Sequence, residues 1–86
     1  MPLNLVVRAA NRDMAAAMMT RVWINGKVRD LGDEVRTVAD VLAVVGVPQE
    51  GTLVELNGAA LFPRDFGSTP VAAGDRFELV RIAAGG

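Results

Sequence analysis

Apolar and polar positions alternate with period two around Val22 and Ile24, which are interleaved with Arg21, Trp23 and Asn25. That pattern predicts a strand with one buried face. Asn25-Gly26 follows, a two-residue hairpin signal, because both central positions of a type I′ turn need positive φ. The chain then returns through Lys27-Val28-Arg29-Asp30-Leu31 as a second strand and turns again at Gly32-Asp33-Glu34. From Thr37 the period changes. Val38, Val41, Leu42 and Val45 stand at i, i+3, i+4 and i+7, so a short helix presents one apolar face. Thr37 is placed to cap it, with Asp40 near its positive end. Gly46 and Pro48 end it.

Period two resumes over Thr52 to Asn57, with Val54 and Leu56 inward and Leu53 and Glu55 on the other face. Asn57-Gly58 is a second hairpin signal, leading to a short strand at Ala60-Leu61-Phe62. Pro63-Arg64-Asp65-Phe66-Gly67 breaks the pattern and predicts a turn or a 3₁₀ segment. Ala73-Gly74-Asp75 is a turn, and Arg76 to Ile82 reads as the last strand. The order β-β-α-β-β-β, with one helix on one sheet face, predicts an α+β β-grasp, the ubiquitin-like roll. In it the first and last strands lie parallel at the centre of a mixed sheet. Phe77 is expected in the core, Phe62 and Phe66 as loop-anchoring core residues, and Arg64 and Lys27 at the surface.

The segment before Thr20 reads differently. Leu3 to Val7 has partial strand character, Arg8, Arg12 and Asp13 interrupt it, and an Asn11–Met19 helix is too short to be stable alone. Residues 1–18 are therefore expected to be a mobile N-terminal extension, with Met19 an alternative start. Residues 19–86 are expected to be the folded domain, ending in a flexible Gly-Gly tail. An extra edge strand near residues 3–8 is the lesser reading.

Composition then narrows the function. Among 86 residues, 51% are apolar, enough for a packed core, and the formal charge is −1. Basic residues are scattered singly, which argues against nucleic acid or a membrane surface as partner. Histidine, cysteine and tyrosine are absent and there is one lysine. Disulfides and thiolate metal sites are excluded, and general acid–base work lacks its usual residues. Ser68, the only serine, has no histidine to activate it. Asp30, Asp33 and Glu34 are read as a solvated turn. The chain is expected not to be an enzyme. No catalytic or metal-binding residue is predicted, and no cofactor is expected to be bound.

The sequence ends Arg81-Ile82-Ala83-Ala84-Gly85-Gly86. On the residues alone this pair is either a frayed end or a tail slim enough to thread a narrow channel. Trp23, Leu53, Val80 and Ile82 are predicted to face away from the helix as an apolar patch near the tail's root. Such a patch suits partner binding, or partial cover by the N-terminal segment.

Over about residues 19–86 the chain closely resembles the ThiS family of sulfur carriers in thiamin biosynthesis. The resemblance lies in Ile24-Asn25-Gly26, the helix opened by Thr37, Glu55-Leu56-Asn57-Gly58, Phe62-Pro63-Arg64-Asp65-Phe66, Gly74-Asp75 and the final Gly85-Gly86. The family commonly has Val before the Pro-Arg pair and Trp three residues after the Pro, where Phe62 and Phe66 stand here. The small subunit of molybdopterin synthase is similar in fold and tail, but typically has Pro-Pro before the glycines, where this chain has Arg81-Ile82. Ubiquitin-like modifiers or interaction modules are the remaining alternative.

The resemblance implies that the Gly86 carboxylate is adenylated with ATP by a ThiF-like adenylyltransferase. It also implies conversion to a thiocarboxylate by a sulfur donor such as a cysteine desulfurase, then sulfur delivery to thiazole synthase. Ala83, Ala84 and Gly85 would thread into the partner. A cytoplasmic protein, monomeric on its own, is expected.

Overall fold

The computed structural model describes residues 19–82. Residues 1–18 lie outside that range, as do Ala83, Ala84, Gly85 and Gly86.

Strands β1 (Thr20–Ile24) and β2 (Lys27–Leu31) form the first hairpin, α1 (Val38–Val45) follows, and β3 (Thr52–Leu56) and β4 (Ala59–Leu61) form the second hairpin. A 3₁₀ turn at Pro63–Asp65 and a loop lead to β5 (Arg76–Arg81). The sheet order is β2-β1-β5-β3-β4, with β1 parallel to β5 and every other pairing antiparallel. This is the expected β-grasp.

Both hairpins are closed by Asn-Gly pairs at positive φ, Asn25 at 51° with Gly26 at 81° and Asn57 at 54° with Gly58 at 87°. The asparagines have a second task. Asn25 Oδ1 accepts from the Leu79 N–H at 2.8 Å, and its Nδ2 donates to the Leu79 carbonyl at 3.2 Å. Asn57 Oδ1 accepts from the Arg76 N–H at 2.9 Å, and its Nδ2 donates to Asp75 Oδ1 at 3.0 Å. Each turn amide thus extends the ladder onto β5 where a strand has run out.

Thr37 caps α1 in a reciprocal box: its Oγ1 accepts from the Asp40 N–H at 3.3 Å, while Asp40 Oδ2 accepts from the Thr37 N–H at 3.0 Å. The remaining first-turn donors are met by the incoming loop, Val38 N–H by the Thr69 carbonyl and Ala39 N–H by the Phe66 carbonyl. Gly46 ends the helix in the left-handed conformation, at φ 89°. Val38, Val41 and Leu42 pack with Val22, Leu31, Val54 and Phe77 from the sheet and Phe66 from the loop. Phe66 and Phe77 are fully buried.

Phe62 corrects the sequence expectation. β4 runs over Ala59–Leu61, so Phe62 falls beyond it, 58% exposed, and anchors nothing in the core. A two-residue turn after Leu56 pairs Leu56 with Ala59 and Val54 with Leu61. Pleating then turns residue 62 to the face opposite Leu61, away from the helix.

Candidate functional site

The sheet face away from α1 is organised as rows of cross-strand neighbours. Nearest the end of β5, Val80 stands opposite Leu53, and continuing the β3–β4 register by one residue sets Phe62 on the other side of Leu53. Ile82 continues the same face of β5, its N–H donating to the Gly51 carbonyl at 2.8 Å. Leu53, Phe62, Val80 and Ile82 are each more than half exposed. A shallow cleft of about 280 Å³ opens among Gly51, Leu53, Ala60, Phe62, Pro63 and Ile82. The Arg64 guanidinium lies 5.0 Å over the Phe62 ring, a cation–π contact at the rim.

The next row is acidic. Glu55 stands directly opposite Glu78, with Ala60 on its other side. Neither glutamate forms an ion pair among the described residues. Like charges directly across a strand pair destabilise it, so this row is there at some cost to the fold. Beyond it lies a third row, where Trp23 stands between Val28 and Arg76 and the Arg76 guanidinium sits 5.0 Å over the indole.

The four predicted patch residues are therefore not one patch. Leu53, Val80 and Ile82 come together, whereas Trp23 lies across the carboxylate row, since four residues of β5 from Arg76 to Val80 span about 13 Å. Phe62 takes the place that Trp23 was expected to fill. Counting hairpin register outward from Asn57-Gly58 would have found it.

Shifted ionisation on this domain has structural causes. Arg21 pairs with Asp30, Nε to Oδ1 at 2.7 Å and Nη2 to Oδ2 at 3.0 Å. The bidentate bond holds Asp30 below the ordinary aspartate value and raises Arg21 above its own. Asp40 is lowered by the backbone N–H groups of Arg36 and Thr37 that its carboxylate accepts. Asp30 braces the β1–β2 strand pair and Asp40 the start of α1. Among the described residues no three potential ligands gather at one point, and no helix is long and apolar enough to cross a membrane.

The family model described as the ThiS family matches residues 22–86. The chain is similar to the sulfur carrier protein ThiS of Thermus thermophilus, with 37% identity over 65 residues covering 76% of this chain and 98% of that one. Among solved structures it is similar to the crystal structure of a thiamine biosynthesis protein (ThiS) from Geobacter metallireducens. The TM-score there is 0.67 and the identity 32%, over 78% of this chain and all of that one. An NMR structure of a thiamine biosynthesis protein from the same organism gives a TM-score of 0.66 at 33% identity, over 78% of this chain and 88% of that one.

Proposed function

The chain belongs to the ThiS family, and from that membership we propose how its body and its tail divide the work of a sulfur carrier in thiamin biosynthesis. The observation that carries the reading is that the family match extends to residue 86 and so includes the Gly85-Gly86 pair. The Gly86 carboxylate is the cargo site. A carboxylate is a poor electrophile, so one of its oxygens first attacks the α-phosphorus of ATP, releasing pyrophosphate and leaving an acyl-adenylate. The terminal sulfur of a persulfide then attacks the acyl carbon and AMP departs. Cleavage of the resulting acyl disulfide by a thiol leaves the thiocarboxylate, whose sulfur goes on to thiazole formation.

Beyond the Gly86 carboxylate itself, none of these steps asks for an acid, base or nucleophile on this chain, which has neither histidine nor cysteine. The activating groups belong to partners: a ThiF-like adenylyltransferase, a persulfide donor such as a cysteine desulfurase, and thiazole synthase. Because activation draws on ATP, we assign it to the cytoplasm.

Energetics support putting the grip on the body. Ordering a residue costs roughly 1–2 kcal/mol, so threading Ala83 to Gly86 costs several kcal/mol, and alanine and glycine bury little apolar surface in return. Completing the burial of Leu53, Phe62, Val80 and Ile82, each about half exposed, returns roughly 1 kcal/mol apiece. The two sums are of similar size, so the row beside the tail's root offsets the threading.

Intact-mass measurement of the full chain after incubation with the adenylyltransferase, ATP and a persulfide donor tests the reading. The expected result is an oxygen-to-sulfur mass increase confined to the C-terminal peptide. No increase, or isopeptide adducts on lysine, would reject it.

A further inference from the structure

The end of β5 is tied to the body by a contact that the carrier chemistry described above does not use. Arg81 and Ile82, the last two described residues, are both bonded to residues 50–52. Arg81 Nη1 donates to the Glu50 carbonyl at 2.8 Å and to Thr52 Oγ1 at 3.0 Å. Thr52 Oγ1 passes its own hydrogen to the Pro48 carbonyl at 2.6 Å, so the hydroxyl accepts and donates at once. The Ile82 N–H meets the Gly51 carbonyl between these contacts. Gly51 itself stands at φ +78°, and a Cβ there would lie 3.1 Å from Arg81 Nη1. Glycine lets the backbone bend beneath the guanidinium.

The side chains alternate so that this clasp and the apolar row are on opposite faces. Arg81 pairs with buried Thr52, on the helix side of the sheet, while Val80 and Ile82 point to the open face. Altering the guanidinium therefore removes no side chain from the proposed docking row. It also leaves the core cluster intact, because Arg81 is exposed.

We infer that Arg81 is a positioning residue for the chemistry at Gly86: its clasp over Gly51 sets the point from which the tail leaves the body, and so the reach of the reactive carboxylate. The inference rests on the carrier reading. With Ile82 anchored, four residues lead to the carboxylate and span at most about 14 Å when extended. Undoing the clasp makes Arg81, opposite Thr52, the last paired residue, and five residues then span at most about 18 Å. The volume open to the carboxylate grows roughly twofold, and its concentration at a partner's active centre falls in proportion, with further loss from orientation.

The test compares wild-type chain with Arg81→Met, which keeps the aliphatic stem but no donor, and Arg81→Lys, which keeps charge and a donor. The readouts are steady-state adenylation by the ThiF-like adenylyltransferase of the same genome, and amide hydrogen exchange at Ile82. For Arg81→Met the expected result is a kcat lower by about fivefold with KM for the carrier within about twofold. Exchange at Ile82 accelerates about tenfold while exchange at Phe77 is unchanged. Arg81→Lys recovers part of kcat. Unchanged exchange at Ile82, or accelerated exchange with unchanged kcat, overturns the inference. A rise in KM alone also overturns it, by making Arg81 a docking contact. A wild-type chain that is not adenylated overturns the carrier reading and the inference with it, and the exchange data tell that failure from a failure of the clasp.

Discussion

The two faces of this sheet are built from the same strands, one residue out of phase, and they obey different rules. On the helix side Val22, Val54 and Phe77 are almost wholly buried against Val38, Val41, Leu42 and Phe66. On the open side Leu53, Val80 and Ile82 remain about half exposed, beside a pair of facing glutamates. A face kept for stability alone would not place Glu55 opposite Glu78. The contrast teaches that folding is carried by one face, which leaves the other free for the docking proposed above.

Substitutions can break that contrast in a definite order. Phe77→Ala on the closed face is expected to cost about 3–5 kcal/mol, comparable to the whole stability of a small domain. Denaturant unfolding should show a largely unfolded chain. Val80→Asp, three residues along the same strand but on the open face, should leave the unfolding midpoint nearly unchanged. Its affinity for the adenylyltransferase should fall at least about tenfold in a binding titration. Equal losses of stability from the two changes would erase the distinction between the faces.

Smaller effects sharpen it. Thr37→Ala removes the hydroxyl of the capping box and should cost about 1 kcal/mol by denaturant titration, with sulfur loading unaltered in the folded fraction. Acid gives the gentlest probe. Asp30 and Asp40 hold their protons less readily in the folded chain than in the unfolded one. Their contribution is thus present above the ordinary aspartate range and is lost as pH falls through their lowered values. Thermal midpoints should be level from neutral pH to about 5 and fall below about 4, less steeply for Asp40→Asn than for wild type.

Much of the fold was legible because its signals are local. Asn25-Gly26 and Asn57-Gly58 announce both hairpins, and Thr37 with Asp40 announces the helix start, each within a few residues of the structure it directs. Phe62 was misread because a phenylalanine beside a Pro-Arg turn is equally plausible inside or out until the β3–β4 register is counted. Trp23 was grouped with Val80 because alternation assigns a face and says nothing of distance along it. The asparagine clamps on β5 and the Arg81 clasp join residues 18 to 54 apart, and no local pattern encodes them.

The sequence by itself determined the succession of elements, which strand residues face the helix, and a composition without histidine or cysteine. Those follow from periodicity, turn stereochemistry and composition, all properties of neighbouring residues. Tertiary structure alone decided that Phe62 joins Leu53, Val80 and Ile82, that two glutamates part them from Trp23, and that Arg81 ties the end of β5 to Glu50 and Thr52. Those depend on strand register, set only when β5 takes its place between β1 and β3 and one helix closes the face beneath it.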